Sequence, residues 1–135
     1  VAAGATEIDM VINIGALKEG DSATVEREIE SVMEAAAGNT VKVLLEICYL
    51  SDPEIVKVCE IAVRLGAAFV KTSTGFGPAG ATVQAVRLMR QTVGSRAGVK
   101  AAGGIGSRQQ ALKLVQAGAN RLGMSRSVQV VSDLS

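Results

Sequence analysis

The chain of 135 residues contains no histidine and no tryptophan, and only two phenylalanines and one tyrosine. Without imidazole there can be no histidine-based triad, and Cys48 and Cys59 lack the close spacing of a zinc knuckle or a redox pair. An aromatic content of 2% leaves few platforms on which bases could stack, and a net charge of +1 offers no footprint for nucleic acid or an acidic membrane. No apolar run reaches the roughly 18 residues of a membrane span, and no basic segment precedes an apolar one at the start. The expected setting is the cytoplasm. What is present is apolar bulk, 48% of the residues, with both charge signs interspersed, as in one globular domain over 1–135.

Five times the sequence passes from a short apolar strand signal to a helical one, beginning near Glu7, Val41, Ala68, Val99 and Asn120. Helix starts are marked by Asp21 or Ser22, by Asp52 with Pro53 at the first helical position, by Thr82 and by Ser107; Gly38, Gly66 and Gly118 mark stops. Apolar residues recur at helical spacing at Val83, Val86 and Leu88–Met89, and at Ile55, Val58, Cys59, Ala62 and Val63. Repeated strand–helix units predict parallel strands joined by right-handed crossovers, which leaves an open sheet covered on both faces or a barrel ringed by helices.

Alternation separates the two. Ile8, Met10, Ile12 and Ile14 share one face of the first strand, with Glu7, Asp9, Val11 and Asn13 on the other. The second strand sets Val41, Val43, Leu45 and Ile47 against Lys42, Leu44 and Glu46, and the third sets Val70 against Lys71. A doubly wound sheet is apolar on both faces, whereas a barrel wall can hold mutually paired ions inside. The reading is an α/β fold, an incomplete TIM (β/α) barrel of about five units. Its interior is expected to gather Glu7, Asp9 and Glu46 against Lys42, Lys71, Lys100 and Arg121. A complete eight-unit barrel needs about 250 residues, and the opening Val1 to Ala5 reads as the tail of a helix and its stop, so earlier units are expected to be absent. Open edges and uncovered apolar surface then imply a homodimer or higher homo-oligomer.

In "VKTSTGFGP" (Val70 to Pro78), Lys71 ends an apolar run where a strand hands over to a loop, at the barrel end that carries active sites. Lys100 in "GVKAAGGIG" holds the equivalent place on the next strand. Two ammonium groups about 6 Å apart repel by about 3 kcal/mol at an effective dielectric near 20, which is about two pKa units. Such crowding suits a lysine that must be uncharged to attack a carbonyl. Asp9 is the natural carboxylate to relay protons or to hold Lys100 charged. "GGIGS" (Gly103 to Ser107) and "GMSRS" (Gly123 to Ser127) each lead into a helix, and neighbouring loops of this kind cradle phosphate in barrels.

"GATEIDMVINIG" with Asp9, "VKTSTGFGPAGAT" with Lys71 and "VKAAGGI" with Lys100 resemble, in order, the strand motifs of the deoxyribose-phosphate aldolase family. The resemblance runs through nearly the whole chain. It implies a class I aldolase, needing neither metal nor cofactor, that reversibly cleaves 2-deoxy-D-ribose 5-phosphate to D-glyceraldehyde 3-phosphate and acetaldehyde. By the same resemblance Lys71 forms the Schiff base, Lys100 perturbs its pKa, and Asp9 takes part in the proton relay. Gly75, Gly103, Gly104, Gly123 and Ser125 bind phosphate, Thr72 to Gly77 shape the receiving loop, and Arg126, in place of a small residue, adds a charge beside Ser125. Ser127 replaces a glycine common in the family, and the family's first three strand units are not represented. Two alternatives stand beside this reading: a sugar-phosphate isomerase or synthase using acid–base chemistry on Asp9 and Glu46, and a catalytically impaired half-barrel with a structural role.

Overall fold

Helices in this molecule begin where a side chain can satisfy the free N–H groups of a first turn. The structure, a computed structural model, describes residues 1–132. Asp21 accepts from Thr24 N–H and opens α2 (Ser22–Ala36), following a short α1 (Ile14–Lys18) capped by Asn13. Ser51 and Glu54 form a reciprocal capping box at the start of α3 (Asp52–Arg64), with Pro53 in the first turn. Thr82 caps α4 (Val83–Val93), Ser107 caps α5 (Arg108–Gln116), and α6 spans Ser127–Ser132. Three of the anticipated starts are the observed caps, and the fourth lies one residue inside its helix.

Between these helices run β1 (Glu7–Val11), β2 (Thr40–Leu44), β3 (Phe69–Lys71), β4 (Gly98–Ala102) and β5 (Arg121–Gly123), all parallel and in the order β1-β2-β3-β4-β5. A doubly wound sheet would reverse its strand order at a switch point; this one never does. One rung of the sheet aligns Val11, Leu44, Lys71, Lys100 and Arg121, and the rung below aligns Asp9, Lys42, Phe69 and Gly98. The other face carries Val41, Val43, Val70, Val99 and Ala101, all at 0–1% exposure against Val25, Ile29, Val58, Val86 and Met89 of the helices. Burial of each of these larger aliphatic side chains contributes about 1.5–3 kcal/mol, so the sheet–helix layer is the core.

The sheet is strongly curled. Five flat strands would hold β1 and β5 roughly 19 Å apart, yet Arg121 Nη1 of β5 lies 2.9 Å from Glu7 Oε2 of β1. Only a sheet bent around its charged face brings the two edges within side-chain reach, and that is the curvature of a barrel wall. The chain is five consecutive units of an incomplete TIM barrel.

Three sequence expectations differ from the structure. The alternation extended through Ile14 stops at Val11, because Asn13 turns its side chain to accept from Ala16 N–H and starts α1, a helix too short to leave a periodic signal. Glu46 leaves the alternation as well: the chain departs from the sheet after Leu44, and Glu46 takes a left-handed backbone, φ +54°, leading into a 3-10 turn at Ile47–Tyr49. Val1 to Gly4 makes a turn closed by Gly4 N–H on the Val1 carbonyl, rather than a helical end.

Candidate active site

The inner face of the sheet is charged because strand alternation puts Glu7 and Asp9, Lys42, Lys71, Lys100 and Arg121 on the side away from the helices. Lys42 is the most deeply placed, with its side chain 4% exposed, and it donates to Glu7 at 2.7 Å and to Asp9 at 3.0 Å. Asp9 uses its other oxygen for Lys71 Nζ, at 2.7 Å. Glu7 completes the ladder with Arg121, whose guanidinium also lies 4.4 Å above the Phe69 ring. Gly98 is the register partner of Phe69, and any side chain there would overlap the ring, so a glycine makes room for this stack.

Electrostatics follow this ladder. Burial pushes the Asp9 carboxyl up, but the hydrogen bonds from Lys71 and Lys42 overcome it and hold the group below its ordinary value. Glu7 is lowered by Lys42 first and Arg121 second. Burial works against the charged form of Lys42, and its two carboxylates outweigh that and raise it. Lys100 is the reverse case. Burial and then the neighbouring Lys71 charge push it below the ordinary lysine value, and the pull of Asp9 does not compensate. Sequence reasoning offered Asp9 as the group holding Lys100 charged; the carboxylate instead grips Lys71 and Lys42, and among the described residues none forms an ion pair with Lys100. The reason is reach: Asp9 sits one rung below Lys71, next to Lys42, while Lys100 is a strand further on.

Lys71 and Lys100 open together into a cavity of about 600 Å³ at the C-terminal ends of the strands. Its walls include all six residues singled out around phosphate: Gly75 from the loop after β3, Gly103 and Gly104 from the loop after β4, and Gly123, Ser125 and Arg126 from β5 and beyond. Gly103 and Gly104 both have positive φ, at +87° and +72°, a turn that other residues adopt only under strain. A side chain at Gly123 would stand 3.4 Å from Lys100 Cε, so this glycine leaves space for the lysine stem. Arg126 leans over the β4–α5 loop, with Nη1 3.8 Å from the place a Gly106 side chain would occupy.

Within Thr72 to Gly77 the roles divide. Thr72 is fully buried and clamps β3 to β4 through two 3.0 Å hydrogen bonds with Ala102, and Ser73 is buried beside it. Thr74, Gly75 and Phe76 are the cavity wall. Sequence reading missed Gly80, where a side chain would overlap the Gly103 carbonyl: the loops after β3 and β4 touch backbone to backbone there, secured by Ala81 N–H on the Ala102 and Gly103 carbonyls at 3.1 and 3.0 Å. The one available signal was a third glycine within "GFGPAGAT". The arrangement can hold an anion among glycine loops and Arg126, and it presents two amines and a carboxylate to whatever the anion carries.

Comparison with known proteins gives a family and the same fold. A family model described as DeoC/LacD family aldolase matches residues 1–125. The deoxyribose-phosphate aldolase of Aciduliprofundum boonei is 58% identical over 133 residues, 97% of this chain and 60% of that protein. That of Bacillus cytotoxicus is 54% identical over 132 residues, covering 97% and 59%. Among solved structures, the tetrameric deoxyribose phosphate aldolase of Aeropyrum pernix superposes with a TM-score of 0.88 at 34% identity, covering 98% of this chain and 56% of that one. An aldolase called QR15 superposes at 0.91 with 37% identity, covering 98% and 60%. The chain thus spans about 60% of the length of the curated relatives it matches. The matches cover both lysine strands, the carboxylate strand and the glycine loops, and the chain belongs to the DeoC/LacD family of aldolases.

Proposed function

We propose that this chain carries class I aldolase chemistry, the reversible cleavage of 2-deoxy-D-ribose 5-phosphate to D-glyceraldehyde 3-phosphate and acetaldehyde. The observation that carries the reading is the alignment of Lys71 and Lys100 in one rung of the sheet, both opening into the cavity that Arg126 and the glycine loops enclose. Lys71, freed of its proton and of its pair with Asp9, attacks the aldehyde carbon of the open-chain sugar. Loss of water leaves an iminium. Removal of the proton from the C3 hydroxyl breaks the C2–C3 bond, and the electron pair flows into the iminium to give an enamine and D-glyceraldehyde 3-phosphate. Reprotonation at C2 and hydrolysis then release acetaldehyde and restore Lys71. Lys100 is suited to exchanging protons in this sequence, since burial and the Lys71 charge hold it below the ordinary lysine value. Asp9, kept ionised by two lysines, supplies the opposite charge. Glycine-loop N–H groups and Arg126 hold the phosphate.

We read the protein as cytoplasmic, a compartment in which the unpaired Cys48 and Cys59 remain reduced. We also read it as a homo-oligomer, in keeping with its tetrameric relative. A second reading, an impaired barrel segment, draws on the exposure of Asp9, whose side chain is 37% accessible on the edge strand β1. Incubation with acetaldehyde followed by borohydride reduction and peptide mass analysis separates the readings. The aldolase leaves a reduced adduct on Lys71; a folded protein with no adduct and no turnover is the impaired segment; turnover without an adduct points to non-covalent chemistry.

A further inference from the structure

Glu46 stands outside the charged ladder and is 5% exposed. Its left-handed backbone, φ +54° and ψ +62°, is one that a residue with a side chain adopts only when its surroundings hold it there. What holds it is the loop after Lys71. Thr74 N–H donates to Glu46 Oε1 at 3.2 Å and Oε2 at 3.4 Å, and the Thr74 hydroxyl donates to Oε2. Thr74 Oγ1 in turn accepts from Phe76 N–H at 3.0 Å. Gly77 lies so close that an added side chain would come within 3.4 Å of the Glu46 carboxyl and 3.0 Å of Cys48 Sγ. Among the described residues no cation pairs with this carboxyl group, and Thr74 is its hydrogen-bonding partner. The segment it anchors, Thr74 to Phe76, is one wall of the cavity.

We propose that Glu46 is a positioning residue: its carboxylate orders the Thr74–Phe76 wall, and thereby sets affinity for the sugar phosphate without setting the reactivity of Lys71. Lys71 is oriented from the other side, by Asp9, and the two devices share no residue. The wall-ordering part stands independently of the aldolase reading, on which only the kinetic part rests.

The test uses the full chain with Glu46→Gly, Glu46→Gln and Thr74→Val. Glycine removes the carboxylate while easing the left-handed backbone, so the fold is kept. Thr74→Val removes the hydroxyl part of the contact, and the acceptor of Phe76 N–H, while the backbone N–H of residue 74 and residue 46 itself are untouched. Amide hydrogen exchange over residues 72–78 is expected to rise about tenfold in Glu46→Gly and Thr74→Val, the scale of one lost hydrogen bond, and to stay near wild type in Glu46→Gln, which keeps an acceptor oxygen. In Glu46→Gly, KM for 2-deoxyribose 5-phosphate is expected to rise by the same order, while trapping of acetaldehyde on Lys71 stays within about twofold. Unchanged exchange over 72–78 in both disrupting variants overturns the proposal, as does a loss of trapping at constant KM. A wild-type chain with no trapping and no turnover, but with exchange responding as stated, refutes the aldolase reading and supports the ordering role.

Discussion

Lys42 shows how this interior tolerates charge. An ammonium 4% exposed would be costly alone, but Glu7 and Asp9 sit 2.7 and 3.0 Å away, and each carboxylate has a second cation of its own. Lys42→Met is therefore expected to cost about 1–3 kcal/mol in urea unfolding, below the usual figure for breaking a buried pair, since neither carboxylate is orphaned. The pH response gives a sharper check. Glu7 and Asp9 have folded-state values below their ordinary 4.5 and 3.8, so their contribution is present above those values and is lost as pH falls through the lowered ones. Removing Lys42 relaxes both carboxyls upward. The variant's stability is thus expected to fall less steeply than wild type below about pH 4.5, and equal slopes would contradict the ladder.

Loops between elements fix the cavity through backbone contact, and Gly80 is the point of closest approach. A methyl group there would sit 2.8 Å from Gly103 Cα and overlap its carbonyl, and neither loop can yield without moving a cavity wall. Gly80→Ala is expected to lower stability by about 2–3 kcal/mol and to weaken sugar-phosphate binding, measured by thermal unfolding and by KM. The sequence made the strands legible because Ile8, Asp9 and Met10, or Val41, Lys42 and Val43, alternate cleanly, and it made the helix starts legible because Asp21, Thr82 and Ser107 cap their own turns. It located Lys71, Lys100 and the glycines on one wall, since that placement follows from strand parity and strand ends. It did not locate Glu46 against Thr74 or Gly80 against Gly103. Those contacts join loops 28 residues apart in one case, and in both they depend on how separate units nest, which no local pattern encodes.

At the scale of the whole molecule, β1 and β5 are the edges of the described sheet, and exposed apolar residues gather near the second of them. Leu112, Val115, Val128 and Val131 are 49–78% accessible, and three of them, Leu112, Val115 and Val131, line an apolar trough of about 550 Å³ between α5 and α6 together with Leu122 and Met124. Surfaces of this kind favour association. Sedimentation equilibrium is expected to give a mass above the 13.8 kDa of one chain, and a monomer at all concentrations would contradict the oligomer. The ion pair of Glu7 with Arg121 bears on a different matter, the order of assembly. It joins residues 114 positions apart, and closing a segment of that length carries an entropic cost of about 4 kcal/mol, about 1 kcal/mol more than closing the segment between two neighbouring strands. The bridge that marks the curl is therefore expected to be a late contact, made once the neighbouring strands between the two ends of the sheet have paired.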